Sequence, residues 1–165
     1  MKRFLVLFTL QSVLIQLFAQ IPSGYYSSAD GYCGASLKTA LCKVIYNHTA
    51  LSYDALWDAF RTTDKREDGK VWDMYSSSTN FVFGTDQAGN YSKEGDVYNR
   101  EHSFPKSWFN DARPMYTDLF HLYPTDGYVN GRRSNYPFGE TDHPTYTSHG
   151  GFSKLGPSST PGYSG

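Results

Sequence analysis

Between Tyr98 and Glu140 the chain reads YNREHSFPKSWFNDARPMYTDLFHLYPTDGYVNGRRSNYPFGE, and its reactive side chains concentrate there. Glu101 and His102 are adjacent, and Asn130 follows on a later element. A carboxylate, an imidazole and an amide within one short segment are the residue types that metal-assisted phosphodiester hydrolysis uses. A hard cation such as Mg²⁺ takes carboxylate and amide oxygens together with water and phosphate oxygens. A neutral His beside it can take a proton from an attacking water.

Further motifs follow in order. They are Arg100-Glu101-His102, Pro105-Lys106-Ser107-Trp108, Asp118-Leu119-Phe120-His121-Leu122-Tyr123-Pro124, and Val129-Asn130-Gly131-Arg132-Arg133-Ser134-Asn135. In this arrangement the segment resembles the endonuclease I family of secreted bacterial nucleases, whose catalytic unit is the ββα-metal, or His-Me, finger. The resemblance extends more loosely back to about Ala35 and forward through the Gly-rich end. It implies an endonuclease that hydrolyses DNA and possibly RNA with low sequence specificity and depends on a divalent cation: Mg²⁺, or another such as Ca²⁺ or Mn²⁺. It assigns the general base to His102 and the metal ligands to Glu101 and Asn130. An arginine that steadies the scissile phosphate in some relatives lies in an insertion this chain lacks, so Arg113 and Arg133 are the candidates for that work. His121 stands where some relatives carry Asn, which leaves its role open. DNA or RNA preference and the physiological ion also stay open.

These residues need elements to hold them. A strand ending in Glu101-His102, a long connection, a second strand near Leu119 to Tyr123 and a short helix through Asn130 and Arg133 would bring distant ligands to one ion. Thr125 or Asp126 has the side chain to cap that helix. Adjacent strand residues point to opposite faces, so Glu101 and His102 converge only at a strand end or bulge. Upstream, Leu37, Leu41, Val44 and Ile45 recur at helical spacing and predict a helix over Ala35 to Asn47. A second helix carries Leu56, Trp57 and Phe60, with Ser52 as its cap. Both are expected to build core. Val71 to Tyr75 and Phe81 to Phe83 read as short β-like runs. The fold class is therefore α+β: a ββα-metal core with additional N-terminal helices. Beyond Gly139 the chain turns Gly-, Ser-, Thr- and Pro-rich, and a C-terminally truncated nuclease domain is the expectation.

The first twenty residues put Lys2 and Arg3 ahead of an apolar run that closes near Ala19-Gln20, the pattern of a secretory signal peptide. Thr9, Gln11, Ser12 and Gln16 interrupt that run, so a stable membrane anchor is not expected. The implied location is secreted or periplasmic. Residues 21–165 suffice for one domain. The 15 Lys and Arg residues, less Lys2 and Arg3, stand against 16 Asp and Glu, a net charge of −3 with His neutral. No global basic field advertises a nucleic-acid substrate, so attraction must be local, from Arg100, Lys106, Arg113, Arg132 and Arg133. Cys33 and Cys42 would lie ~13 Å apart if both belonged to one helix, too far for a disulfide, so a bridge requires Cys33 in a loop folded back toward Cys42, with free thiols the other reading. Aromatic residues make up 17% of the chain, which sustains an alternative: a non-catalytic, exported, aromatic-rich module that binds glycans or nucleic acid. Oligomeric state is not legible.

Overall fold

The computed structural model describes residues 21–46 and 48–162. The leader expected over residues 1–20 lies outside them. None of the described helices is long and apolar enough to cross a membrane. The chain divides into two compact units, one ending at His48 and the other beginning at Thr49. Helices and small antiparallel sheets make it an α+β structure.

The first unit holds one turn of 3-10 helix at Ser27–Ala29 and helix α1, Gly34–Tyr46. Asn47, expected at the end of α1, is outside the described residues. Leu37, Leu41 and Val44 are half-buried, Ile45 is exposed, and no residue of α1 is buried. The helix forms, but among the described residues it does not bury side chains as its spacing suggested. Within its own unit it packs on the Ser27–Ala29 turn, which is too short to cover the apolar stripe. Cys33 precedes α1 and Cys42 lies within it, and both thiols are free and exposed.

In the second unit the cap position of helix α2, Leu56–Thr63, is Ala55, with no side-chain cap. Ser52, expected to cap it, sits three residues earlier, and its Oγ accepts from Ala55 N–H at 3.1 Å in the turn before the helix. α2 buries Leu56 and Phe60 against Leu122. Trp57 and Phe83 also pack on the neighbouring cluster of Val71, Phe81 and Tyr98, so the two clusters share a wall.

Strands β1, Tyr98–His102, and β2, Leu122–Asp126, pair antiparallel, with Tyr98 opposite Asp126 and His102 opposite Leu122. Helix α3, Gly127–Arg133, follows β2 directly and packs on both strands. The expected order of strand, long connection, strand and helix is present. β2 starts later than the Leu119 to Tyr123 stretch, for a local reason. His121 N–H donates to the Asp118 carbonyl at 3.3 Å and Phe120 N–H to Asp118 Oδ1 at 2.9 Å, so the chain is still turning there.

The runs Val71 to Tyr75 and Phe81 to Phe83 are not strands. One backbone bond joins them, Val71 N–H to the Phe81 carbonyl at 3.0 Å. Asp73 draws the intervening chain to itself instead: Oδ1 accepts from Tyr75 N–H and Oδ2 from the Thr79 hydroxyl, each at 2.8 Å. Side-chain acceptors of this kind compete with a ladder. Beyond Gly139, the two-residue strands β3, Tyr146–Thr147, and β4, Lys154–Leu155, pair antiparallel.

The corner between β2 and α3 is fixed by Asp126, which is fully buried. Its Oδ1 accepts from Tyr128 N–H at 2.8 Å and Val129 N–H at 3.0 Å, and its Oδ2 from Gly95 N–H at 2.6 Å. Gly127 lets the 91–97 loop come close: a Cβ there would stand 2.8 Å from a Tyr91 ring carbon and 3.3 Å from the Val97 carbonyl oxygen. Asp126→Ala leaves three backbone donors without their acceptor and should cost about 2–4 kcal/mol of unfolding free energy. Asp126→Asn, which keeps an acceptor for the cap, should cost less. Urea denaturation followed by Trp fluorescence checks this; equal losses in the two variants would assign the role of Asp126 to its charge.

Candidate metal and catalytic site

β1 alternates its faces, and the alternation sorts the site. Asn99 and Glu101 share one face, toward α3. His102, the last residue of the strand, sits among a different set of neighbours.

Glu101 is 4% exposed. Its Oε1 accepts the Tyr75 hydroxyl at 2.6 Å and Arg133 Nη1 at 2.8 Å. Arg133 is itself clamped, since Nη1 also donates to the His102 carbonyl at 3.2 Å and Nη2 to the Ser103 carbonyl at 2.7 Å. Its Nε is buried without a partner among the described residues. Burial drives the Glu101 carboxyl up to about 7, against the pull of Tyr75, Arg133 and the Asn130 amide, each of which lowers it. The same burial, with Glu101 next to it, raises the Tyr75 phenol well above its ordinary value.

Asn130 projects from α3 and donates through Nδ2 to Asn99 Oδ1 at 2.7 Å. Thr125 of β2 donates to the same oxygen at 3.2 Å. With Nδ2 committed, the Asn130 amide oxygen is the atom left for a cation. Glu101 takes Tyr75 and Arg133 on Oε1, and the Asn130 amide also bonds its carboxyl. One carboxylate and one amide oxygen fit Mg²⁺, which keeps several waters and takes few protein ligands. Among the described residues no group of three or more His, Cys, Asp and Glu side chains could hold a metal.

His102 is also 4% exposed. Its Nε2 lies 3.0 Å from the Tyr116 carbonyl oxygen. A carbonyl only accepts, so Nε2 carries the proton, and in the neutral ring Nδ1 has the free lone pair. Burial lowers the His102 pKa, with His121 adding to the effect and the Tyr116 carbonyl opposing it. The ring is therefore neutral at physiological pH and ready to accept a proton. The Tyr116 ring stacks on it at 5.5 Å and 20°, and the Tyr53 ring stacks on Tyr116 at 4.7 Å. The Phe109 and His121 rings lie 6.0 and 5.7 Å from that of His102. His121 is held in the same way as His102, with Nε2 2.6 Å from the Met115 carbonyl oxygen.

The structure thus groups Glu101, Asn130 and Arg133 on the α3 side of β1, and places His102 at the strand end on the other. The local cations divide as well. Arg100 lies between the Tyr53 and Trp57 rings, 3.5 and 4.3 Å from their centroids, and donates to the Tyr53 carbonyl at 2.6 Å. Lys106 pairs with Asp111 at 3.1 Å. Arg113 is exposed, makes a long 3.5 Å contact to the Leu51 carbonyl and lies over the Tyr116 ring, on the His102 side. Arg132 is exposed and has no ion-pair partner among the described residues. Tyr75, Asn99 and Tyr116 were not anticipated from sequence. Asn99 was within reach, two residues before Glu101 and so on its face. Tyr75 gave no signal, because it sits in an apolar run that reads as core.

A two-strand, one-helix unit carries the carboxylate and amide on its α3 side and the imidazole at the end of β1, within an α+β chain. The chain matches the Endonuclease I family over residues 33–165 and belongs to that family. It is 35% identical over 127 residues to the extracellular ribonuclease of Bacillus amyloliquefaciens, covering 73% of this chain and 42% of that protein. It is 36% identical over 118 residues to the extracellular ribonuclease of Bacillus subtilis (strain 168), covering 69% of this chain and 39% of that one. The chain therefore spans about two fifths of the length of these relatives. No solved structure matches it.

The raised Glu101 pKa has a measurable sign. The folded, metal-free chain holds this proton up to about 7, whereas an unperturbed glutamate releases it near 4.5. Between those values the folded state binds more protons, so this group makes stability fall as pH rises from about 4.5 to about 7. Asp73, pushed up to about 6 by burial, adds a slope of the same sign. Glu101→Gln should remove the Glu101 share and leave the Asp73 share. Denaturation midpoints at half-unit pH steps test it; superimposable pH profiles for the wild-type chain and the variant would contradict the assignment.

Proposed function

We propose that residues 21–165 form an exported nuclease domain built on a ββα-metal finger, which hydrolyses phosphodiester bonds of RNA and DNA with low sequence specificity. The observation that carries this reading is the tautomer the Tyr116 carbonyl imposes on His102, which leaves Nδ1 unprotonated at the end of the strand that also carries Glu101. Family membership supports the nuclease reading, and the names of the two Bacillus relatives support RNA as a substrate and export as the destination.

In this reading His102 Nδ1 takes a proton from water, whose oxygen then bonds to phosphorus as the bond to the 3′ oxygen breaks. Nε2 stays bonded to the Tyr116 carbonyl throughout, so the imidazolium that forms keeps its orientation. A divalent cation, Mg²⁺ or another such as Ca²⁺ or Mn²⁺, held by Glu101 and Asn130 would supply charge stabilisation at the phosphate and the leaving oxygen. Tyr75 and Arg133 orient the Glu101 carboxylate. Arg113, next to Tyr116 and exposed, is better placed to meet phosphate than Arg133, whose Nη1 and Nη2 already donate within the site.

His102→Ala should lower turnover of plasmid DNA and of RNA by about two to four orders of magnitude, with an unchanged circular dichroism spectrum. A chelator should abolish the activity of the wild-type chain and added Mg²⁺ should restore it. Near-native turnover in the variant would sink the base assignment. Binding without any turnover in the wild-type chain would favour a non-catalytic binding module.

A further inference from the structure

A groove of about 620 Å³ opens beside α3, between the chain after the helix and the β3–β4 region. That volume is in the range of small-molecule sites. Tyr136, Phe138 and Phe152 face it and are 53%, 54% and 56% exposed.

We infer that this groove is a subsite for unpaired bases of a nucleic-acid strand, holding nucleotides next to the phosphodiester that reaches Glu101. The inference rests on the nuclease reading and adds a preference to it: unpaired segments over duplex ones.

Continuity with the site comes first. Tyr75 and Arg133, which both donate to Glu101 Oε1, also wall the groove. Phe138 lies against both, its ring 6.2 Å from that of Tyr75 and 4.7 Å from the Arg133 guanidinium. A strand passing Glu101 enters the groove without leaving the surface.

Charge is the second argument. Arg132 and Lys154 line the groove, and neither has an ion-pair partner among the described residues. Arg132 is steered there by the Tyr128 and Tyr146 rings, 5.4 and 5.2 Å from its guanidinium. Glu140 also lines the groove, so the balance of formal charge around it, with Arg133 neutralised by Glu101, favours phosphate. Exposed rings with unpaired cations beside them are what sequence-tolerant binding of single strands uses, because every base has a π-face.

In a duplex the base faces are stacked on one another, and side chains reach them only when bases are unpaired or splayed out. A duplex could use Arg132 and Lys154 but not the three rings.

The test is fluorescence anisotropy of a labelled eight-nucleotide single strand and of the matching duplex, with the full chain in EDTA so that nothing is cleaved. The wild-type chain should bind the single strand at least about tenfold more tightly than the duplex. Tyr136→Leu with Phe152→Leu keeps apolar bulk but removes two rings, and should weaken single-strand binding about tenfold or more while leaving duplex binding unchanged. Arg132→Gln should weaken both and reduce the logarithmic salt slope by about one. Equal affinities for strand and duplex would overturn the inference, and so would an unaltered preference in the double Leu variant. Unaltered binding combined with a shift from dimer to monomer in sedimentation would also overturn it, by assigning the groove to a second copy of the chain. Adding Mg²⁺ to the wild-type complex separates the two readings. A strand that is bound through the rings but not cut retains the groove and sinks the nuclease; a strand that is cut with no dependence of binding on the rings does the reverse.

Discussion

One carboxylate oxygen, Glu101 Oε1, ties together three parts of the second unit: β1, which carries it, the loop that supplies Tyr75, and α3, which supplies Arg133. Removing a carboxylate from water costs several kcal/mol, and that cost is offset only when the charge is paired and its lone pairs are met. Here the pairing is incomplete by design of the surroundings: burial outweighs Tyr75, Arg133 and Asn130 together, and the carboxyl titrates at about 7. The charged and neutral forms are then close in free energy near neutrality. In the proposed reading, a cation that binds Glu101 would displace this proton, so its binding would tighten as pH rises through about 7.

The clamp closes into a circuit. Tyr75 donates its hydroxyl to Glu101 and its backbone N–H to Asp73 Oδ1. Asp73 Oδ2 accepts from the backbone N–H of Asp126 at 3.1 Å. Asp126 caps α3, and α3 returns Arg133 to Glu101. Each of these carboxylates is buried, and each is bonded to backbone or side-chain donors. Such networks rigidify when fully satisfied and are costly when one member is lost. The Asp73 interaction also explains why the chain between Val71 and Phe83 forgoes a hairpin: its donors are used to fix Tyr75 rather than to build a ladder.

The parts of the site that carry local signals were legible in the sequence. Asp126 sits where a cap must sit, and the helix through Asn130 and Arg133 follows from it. The Glu101-His102 pair and the ordered motifs around it point to the family directly. What escaped was tertiary. Tyr75 meets Glu101 across a separation of 26 residues, and nothing in an apolar run marks one tyrosine as a partner for a carboxylate. Arg133 was weighed as a phosphate contact on residue type alone; the structure spends its donors on Glu101, His102 and Ser103. The apolar face of α1 reads as core by periodicity, yet periodicity reports only that a face seeks cover and says nothing of what supplies it.

Anomalous diffraction from crystals grown with Mn²⁺ tests the central claim most directly. The account predicts one strong peak within coordination distance of Glu101 and Asn130, on the α3 side of β1, with Tyr75 and Arg133 still holding the other carboxylate oxygen. A peak on His102 and His121, or Glu101 bonded only to Tyr75 and Arg133 while the ion lies elsewhere, would contradict it.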